Sequence, residues 1–380
     1  MSLAIRCVES EADIPETLWQ ACFPSPLEGR WWYRALEGSG LGEQFRFLYA
    51  VIERAGEPVG LAPLFVMDVP IEMVVPPELH RAFAVLGRVV PSLRHQRTLF
   101  VGSPCADEGA VGLLPGVERP EALSALQRAL EGKARELGAP MLVWKDFPAG
   151  YDADLARLAD RCGLFRLTSF PGAVADLPGA GKEGYLAAMK ASYRQKLKRR
   201  LKLSAAAVDL VTEVVQHPDT AILDTIFALF WQTYEKGATK FERLNRRFFE
   251  LVADEPTSHF IILREWASGD AVAFMLCFDL GGHVINKFIG MDYARPKDWL
   301  LYFRLWDAVV ELAVVRGATA VQSGQTGYTA KVETGHRLVP LTNWCRHRNP
   351  LVHRIYRFVA GRVDWSTLDA TLAPYTRTNS

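Results

Sequence analysis

The pattern of apolar and polar positions in the first half predicts alternating strands and helices. The apolar runs FRFLYAVIE and PVGLAPLFV flank the turn-prone residues 54–57 and predict a β-hairpin. A strand at residues 97–101 follows, and helical periodicity begins after Pro120 and ends at Gly138, a typical helix stop. The strand PMLVWKDF and a helix at residues 152–163 come next, so this half is predicted to be a mixed α/β unit.

The second half repeats this order of elements. The patterns predict strands at residues 208–216, 259–266, 271–280, 283–291, 319–323 and 337–344, and helices at 219–237, 245–254, 299–316 and 328–333. No fixed-period sequence repeat accompanies the shared order, so we predict a structural duplication. The glycine-rich PGAGKEG segment at residues 178–184 is the best boundary, which gives domains 1–178 and 179–380.

Composition is consistent with two globular domains and excludes several classes of protein. The chain has 380 residues, of which 49% are hydrophobic and 23% charged. A net charge of +1 argues against a surface that binds nucleic acid over its whole extent. The six cysteines form no CxxC pair, which predicts reduced thiols and no metal site. No stretch approaches the ~18 apolar residues of a membrane span, so we expect a cytoplasmic protein; its oligomeric state is not predicted.

Four stretches within residues 190–356 resemble a known fold: KLKRRLK, FWQTYEKGATKFERLNRRFF, YARPKDWLLYFRLWDAVVELAVVRGATAVQSG and YTAKVETGHRLVP. They resemble the GNAT acyltransferases, and the doubled order of elements resembles the Fem-type enzymes and related peptidoglycan biosynthesis or recognition proteins. The resemblance implies an α/β (α+β) fold of two tandem GNAT-like halves, each a mixed sheet flanked by helices. It also implies an N-acyltransferase that uses acyl-CoA, without a metal, on a small-molecule amine, with the working site in the second half.

Two alternatives stay open beside this interpretation. A Fem-type transferase takes its aminoacyl group from aminoacyl-tRNA and acts on a peptidoglycan-like or small-molecule amine; an acyl carrier protein is a further possible donor. A binding protein that kept the fold and lost the chemistry is the other alternative. GNAT coenzyme loops carry Arg/Gln-x-x-Gly-x-Gly/Ala, whereas residues 292–297 contain no glycine. The first half has Gly109, Gly112 and Gly116 but lacks the basic residue.

Residues 190–202 are strongly basic, with seven Lys or Arg residues and no acid. On a helix, Met189, Tyr193, Leu197 and Leu201 form an apolar stripe. A neighbouring row repeats at every fourth position and contains Lys190, Arg194, Lys198 and Lys202. Like charges at this spacing repel, so the row predicts a site for a coenzyme phosphate, a phosphate-linked substrate or a tRNA end. The alternative is a solvated face beside a buried stripe.

The resemblance also implies positions for the reaction. In GNAT enzymes the acyl carbonyl lies where the fourth and fifth strands separate, which here corresponds to residues 285–291 and 319–323. Gln322, Gln325, Tyr328 and Lys331 lie on or directly after the second of these strands. Lys331 would stabilise the oxyanion or a phosphate, and Tyr328 would return a proton to the leaving group. The alternatives are an exposed lysine and a packing tyrosine.

The general base and the phosphate contacts are less defined. Glu235 and Asp292 are the carboxylates predicted nearest the cleft, although each is also typical of a surface or helix end. Three histidines suit proton transfer near neutral pH, His283, His336 and His347. Arg295 and Lys297 flank Pro296 before the long helix, where they would suit a phosphate or simply begin the helix beside solvent.

Overall fold

A computed structural model describes residues 2–70, 95–179, 181–237 and 243–378. The chain forms two compact units, and each is assembled from separated segments. The first unit contains Met1–Pro24, Gly42–Pro171 and Pro340–Ser380, and the second contains Ser25–Leu41 and Gly172–Val339. This division differs from the single boundary expected between residues 178 and 179, because each half of the chain contributes a segment to the other unit.

The described strands are numbered in chain order: β1 (Leu3–Val8), β2 (Arg46–Arg54), β3 (Glu57–Pro70), β4 (His95–Val101), β5 (Gly112–Leu113), β6 (Met141–Pro148), β7 (Phe165–Thr168), β8 (Gly172–Asp176), β9 (Leu210–Val215), β10 (Ser258–Glu265), β11 (Ala271–Asp279), β12 (His283–Met291), β13 (Ala320–Ser323), β14 (Arg337–Val339) and β15 (Leu341–His347).

The described helices are α1 (Glu16–Cys22), α2 (Arg30–Gly38), α3 (Arg119–Glu136), α4 (Asp152–Cys162), α5 (Gly181–Ala188), α6 (Ala191–Ala207), α7 (Thr220–Lys236), α8 (Arg246–Ala253), α9 (Leu301–Val315), α10 (Tyr328–Glu333), α11 (Pro350–Ala360) and α12 (Trp365–Leu368). Within these described residues, no helix combines the length and the apolar character needed to cross a membrane.

Each unit contains one mixed sheet. In the first sheet the strand order is β1-β2-β3-β4-β6-β15-β7, with β5 paired to β3. In the second sheet it is β14-β8-β13-β12-β11-β10-β9. Each sheet has one internal parallel pair, β4 with β6 and β12 with β13, and antiparallel neighbours on both sides. The predicted fold class, two mixed sheets flanked by helices, is therefore confirmed.

Helix α9 is the buried helix of the second unit, as its apolar sequence predicts. Leu305, Trp306 and Val309 are fully buried and pack with β10, β11 and β12 in one hydrophobic core. Helix α7 covers another part of the second sheet; it begins at Thr220 because the Asp219 side chain accepts a hydrogen bond from the Ile222 N–H.

The predicted strand at residues 337–344 is wrong in one respect: Pro340 divides it into two strands of different sheets. β14 pairs with β8 in the second sheet, whereas β15 pairs with β6 and β7 in the first. β7 and β8, which the patterns did not predict, are likewise separated by a proline, Pro171. These strands are short, and their partners come from distant parts of the chain, so local periodicity carries little information about them.

Gly290 allows helix α7 to approach β12 closely, which gives a test of the packing beneath the candidate site. A Cβ at this position would lie 2.4 Å from Phe274 Cε1 and 2.5 Å from backbone atoms of Leu229 and Phe230. We predict that Gly290→Ala destabilises the protein by roughly 1–3 kcal/mol, because the helix backbone must move. The shift is measured by thermal or denaturant unfolding.

The matched control is Gly132→Ala in α3, where no atom lies within 4 Å of the added Cβ. This change should stabilise the protein by about 0.5–1 kcal/mol, since alanine favours a helix interior over glycine. Equal effects of the two substitutions would contradict the close approach of α7.

Candidate active site

The parallel strands β12 and β13 separate in the middle of β12. Their pairing runs from His283 and Ala320 to Asn286 and Ser323. There β13 ends, whereas β12 continues to Met291. The carboxyl-terminal half of β12 therefore borders a gap in the second sheet, as the resemblance implied.

A β-bulge lies at the point where the gap begins. The register between β12 and β11 changes from Asn286 opposite Cys277 to Phe288 opposite Leu276, so Lys287 is the extra residue. The bulge lets Lys287 and Phe288 contact the same ring: the Lys287 ammonium lies 4.8 Å from the Trp32 ring centroid, and the Phe288 ring stacks on Trp32 at 6.5 Å.

Lys287 is a buried cation with a specific partner. Its side chain is 2% exposed and donates a hydrogen bond to the carboxylate of Glu28, which is 12% exposed. Burial of a charged pair is costly unless the two groups bond to each other, and the cation–π contact with Trp32 adds to this attraction. The pair thus places a lysine and a carboxylate within the second unit, beside the start of the gap.

The loop after β13 brings Lys331 to the rim of the gap. Gly324 directly follows the last paired residue of β13, and its carbonyl oxygen accepts a hydrogen bond from the Lys331 ammonium. Thr326 and Gly327 both have left-handed backbone, with φ of +73° and +66°. Left-handed backbone is strained for a β-branched residue such as Thr326, and such strain occurs preferentially at functional sites.

The polar side chains predicted after β13 occupy different surroundings. Lys331 is buried at 8% exposure, and Tyr328 at 1%, with the Lys331 ammonium 5.9 Å from the Tyr328 ring centroid. Gln325 is half-buried in the same loop. The Gln322 side chain instead bonds to the His283 ring at 3.0 Å. His283 is the first paired residue of β12, at the end of the pairing that lies away from the gap. The structure therefore brings Tyr328 and Lys331 together and leaves Gln325 in the loop between β13 and α10, whereas the Gln322 side chain bonds to His283.

A buried histidine fastens α10 to the end of β13. His336 Nδ1 lies 2.9 Å from the Lys331 carbonyl oxygen, which only accepts, so Nδ1 is the donor. The neutral Nε2 then accepts the bond from the Ser323 hydroxyl at 2.8 Å. Burial, followed by the nearby Lys331 charge, lowers the pKa of His336 from 6.5 to about 3. His336 is thus held neutral and positions the helix that carries Lys331.

Two of the three histidines proposed for proton transfer, His336 and His347, are therefore poorly suited to it. His336 would bind a proton only in strong acid. Burial also lowers the pKa of His347, which belongs to β15 in the first unit. His283 bonds to Gln322 at the amino end of β12. The sequence pattern could not show these environments, because burial arises only from packing.

The basic helix α6 packs against α10 through one carboxylate. Lys196 and Arg200 both bond to Glu333. Burial raises the pKa of this carboxyl, but the two cations lower it by more, so the pKa lies below its usual value. Leu197 is buried, as the predicted stripe requires.

In the predicted basic row, Arg194 caps a helix. It donates hydrogen bonds to three backbone carbonyls at the end of α5, those of Leu186, Ala187 and Met189. Three predicted row members are exposed, namely Lys190, Lys198 and Lys202.

The loop at residues 292–297 does not form a phosphate cradle. Asp292 accepts hydrogen bonds from the Ala294 N–H and from Arg295, which also contacts Glu265 and Asp270. The bonds to Asp292 and Asp270 raise the pKa of Arg295. Three carboxylates balance this cation, and their charge would repel a pyrophosphate. Asp292 is thus a turn-forming residue, and the loop does not fit the diphosphate of coenzyme A.

The remaining predicted residues are exposed. Lys297 lies on the surface before α9. Glu235 is exposed near the end of α7, and its carboxylate accepts a hydrogen bond from the Trp231 indole at 3.0 Å. Among the residues that the structure describes, no three His, Cys, Asp or Glu side chains are grouped to hold a metal ion.

The corresponding gap of the first unit is occupied by its own loop. β4 ends at Val101, paired with Trp144, and β6 continues to Pro148. The Gly109 N–H donates to the Asp146 carbonyl oxygen at 2.9 Å, and a Cβ on Gly109 would lie 2.2 Å from the Lys145 carbonyl oxygen. Gly109 therefore packs against β6 and does not serve as a phosphate loop.

Side chains of the first unit also satisfy one another at this point. Asp146 has left-handed backbone with φ of +56°, its N–H donates to Asn343 Oδ1 at 2.7 Å, and its carboxylate accepts from Lys145 and Ser169. The polar groups at this point of the first unit therefore satisfy one another.

Sequence reasoning missed Lys287, Glu28 and the bond between Ser323 and His336. The sequence did indicate that Lys287 is unusual, because it is the one Lys, Arg, Asp or Glu residue in the mostly apolar strand HVINKFIGM. Glu28 carried none, because its segment joins the second unit only in the folded chain.

Comparison with known proteins supports the expected family. The family of acetyltransferase (GNAT) domains matches residues 191–329. FemX resembles the chain in structure, with a TM-score of 0.60 and 12% identity over 92% of this chain and 100% of that one. A tandem GNAT protein from the clavulanic acid biosynthesis pathway gives a TM-score of 0.52 and 14% identity over 92% and 99%. L-PGS from Bacillus licheniformis gives 0.51 and 12% over 90% and 99%. At these identities the structures establish the fold alone, and no curated protein sequence matches significantly.

The neutral state of His336 predicts a specific dependence of stability on pH. Its pKa is 6.5 in the unfolded chain and about 3 when folded, so between these values the unfolded chain binds more protons. The free energy of unfolding therefore falls as the pH decreases, by about 2 kcal/mol from this residue at pH 5. Denaturant unfolding of the wild type and His336→Gln between pH 7 and 5 measures the difference. Parallel pH profiles would contradict a buried neutral histidine.

Proposed function

We propose that this tandem GNAT protein transfers an acyl group from an activated donor to an amine, and that its second unit performs the reaction. The observation that carries the proposal is the gap between β12 and β13 with the Lys331 ammonium at its rim. A strand edge without a neighbouring strand offers backbone N–H groups to a carbonyl, and a buried cation nearby favours negative charge on its oxygen.

The chemistry needs a neutral amine, stabilisation of the oxyanion and a route for the proton. The neutral amine nitrogen attacks the acyl carbonyl, and the carbonyl oxygen gains negative charge. When the C=O bond forms again, the leaving group departs with its electron pair and the nitrogen releases one proton to solvent, which balances the proton that the leaving atom gains. Lys331 is our candidate for the donor to that oxygen, because its bond to the Gly324 carbonyl holds the ammonium beside the end of β13. Tyr328, beside Lys331, is our candidate for the group that protonates the leaving atom.

The bonds that hold α10 in place support this role for Lys331. Ser323, His336 and Glu333 connect α10 to β13 and α6, so the short helix is fixed from two sides. Electrostatic stabilisation depends on donors that are positioned before the reaction begins. Packing therefore prepares Lys331 in the absence of substrate.

Substitution of Lys331 by methionine tests the proposal. Methionine keeps the apolar length of the buried side chain but removes the donor, so we expect kcat to fall by roughly 10²–10³ with the fold retained. Turnover is measured by mass spectrometry of the amide product, with acetyl-CoA, succinyl-CoA and charged aminoacyl-tRNAs as donors and a panel of primary amines as acceptors. Thermal unfolding reports the fold.

Lys133→Met is the control, because Lys133 lies on α3 of the first unit and pairs with Glu136. It should leave turnover unchanged. Activity of Lys331→Met equal to that of the wild type would remove Lys331 from the reaction. Absence of amide product with every donor, together with tight binding of an amine, would favour a binding protein that has lost the chemistry.

A donor of the aminoacyl-tRNA class is the second candidate, and the exposed cations of α6 favour it. Lys198 and Lys202 lie on the helix whose other side bonds to Glu333 of α10. The three carboxylates around Arg295 count against a diphosphate of acyl-CoA at residues 292–297. A polyanionic donor approaching Lys331 along α6 would meet these lysines first.

The two donors differ in their response to the double substitution Lys198→Ala and Lys202→Ala. If tRNA is the donor, binding of charged tRNA should weaken about tenfold and depend less steeply on salt, because two phosphate contacts are lost. Filter binding across a salt series measures this. Unchanged tRNA affinity, with acetyl-CoA still supporting turnover, would exclude the tRNA role of α6.

A further inference from the structure

Helix α11, in the first unit, has apolar side chains on two opposite sides. Its inner side packs against the unit: Ala360 is buried, the Tyr356 hydroxyl bonds to Gln96, and His353 contacts the Phe165 ring edge to face. The helix begins firmly at Pro350, because Asn349 caps it by accepting from two backbone N–H groups. The inner side therefore already accounts for the anchoring of the helix.

The outer side of α11 presents a stripe of large apolar residues to solvent. Leu351, Ile355 and Phe358 are 67%, 50% and 62% exposed. Their spacing of four and three residues places them on one face of the helix. Single exposed apolar residues are ordinary, whereas a row of three large ones at helical spacing is typical of a surface that binds an apolar partner.

The charge around this stripe has one sign. No Asp or Glu occurs between Glu333 and Asp364, and exposed arginines surround the stripe at positions 348, 354, 357 and 362. The Arg362 guanidinium lies 3.4 Å from the Phe358 ring centroid and bonds to the Phe358 carbonyl oxygen. Within the described part of the chain, none of these four arginines forms an ion pair with a carboxylate.

We propose that α11 binds the surface of an anionic lipid bilayer, with Leu351, Ile355 and Phe358 inserted among the acyl chains and the arginines on the lipid phosphates. A helix with an exposed apolar stripe, flanking arginines and no acid is typical of an interfacial membrane helix. The apolar stripe distinguishes lipid from RNA, whose phosphates would satisfy only the arginines. A second copy of the chain is disfavoured because the arginines of both copies would meet.

Binding of the full chain to vesicles tests the proposal. Vesicles of phosphatidylcholine alone are compared with vesicles of phosphatidylcholine and phosphatidylglycerol in equal parts, by flotation. The wild type should float with the anionic vesicles and bind the neutral ones about tenfold more weakly. The double substitution Ile355→Gln and Phe358→Gln should lose most binding, since it removes the inserted side chains while leaving the charge unchanged.

Two further variants make the result specific. Arg354→Gln with Arg357→Gln should lose the preference for anionic vesicles. Trp266→Gln, which changes a 73% exposed apolar residue in the second unit, should bind as the wild type does. Thermal unfolding verifies that each variant is folded.

Several results would overturn the proposal. Recovery of the wild type in the aqueous fraction with anionic vesicles would overturn it, and so would binding of the stripe variant that is as tight as that of the wild type. A vesicle-free dimer that the stripe variant abolishes, measured by light scattering, would instead make the stripe a subunit interface. Preferential binding of RNA through the arginines, unaffected by the stripe variant, would likewise contradict a lipid surface.

Discussion

The end of parallel pairing at Asn286 and Ser323 is the constraint on which the candidate site depends. Beyond this pair the two strands separate, and the local structure that allows the separation differs between them. β12 acquires its bulge at Lys287, and the chain after β13 turns through the left-handed residues Thr326 and Gly327 into α10. A gap in a sheet leaves backbone groups without ladder bonds, so it is stable only where the surroundings hold it open.

Buried polar groups supply that support. The neutral His336 joins Ser323 to the backbone of α10, and Glu333 joins the same helix to two cations of α6. On β12, Lys287 is held by Glu28 and Trp32. Satisfied buried networks of this kind specify one arrangement, because each alternative would leave a charge or a donor without its partner in a medium of low dielectric. The position of Lys331 is a consequence of these bonds.

The two units differ in what occupies the end of their parallel strand pairs. Each sheet contains one parallel pair of strands that separate at one end. In the first unit Gly109 fills the gap, and the polar groups of Asp146 bond to neighbouring residues of the same unit. In the second unit the corresponding space is bordered by Lys331 and Tyr328. The duplicated architecture thus contains one unit whose gap is filled and one whose gap is bordered by a buried lysine, and the first unit also carries the exposed stripe of α11.

The sequence by itself determined the elements with strong periodicity and the positions of residues relative to them. The hairpins, the buried helix α9, the strand β12 and the short helix α10 follow from local patterns, and Lys331 was placed after β13 for the same reason. Tertiary structure alone decided which segments pair across the halves, so that Pro340 separates strands of two sheets and Glu28 reaches Lys287. It also decided that Arg295 and Asp292 neutralise each other and that His336 stays uncharged. Burial and long-range partners set the charge and availability of a side chain, and neither is encoded in the local pattern.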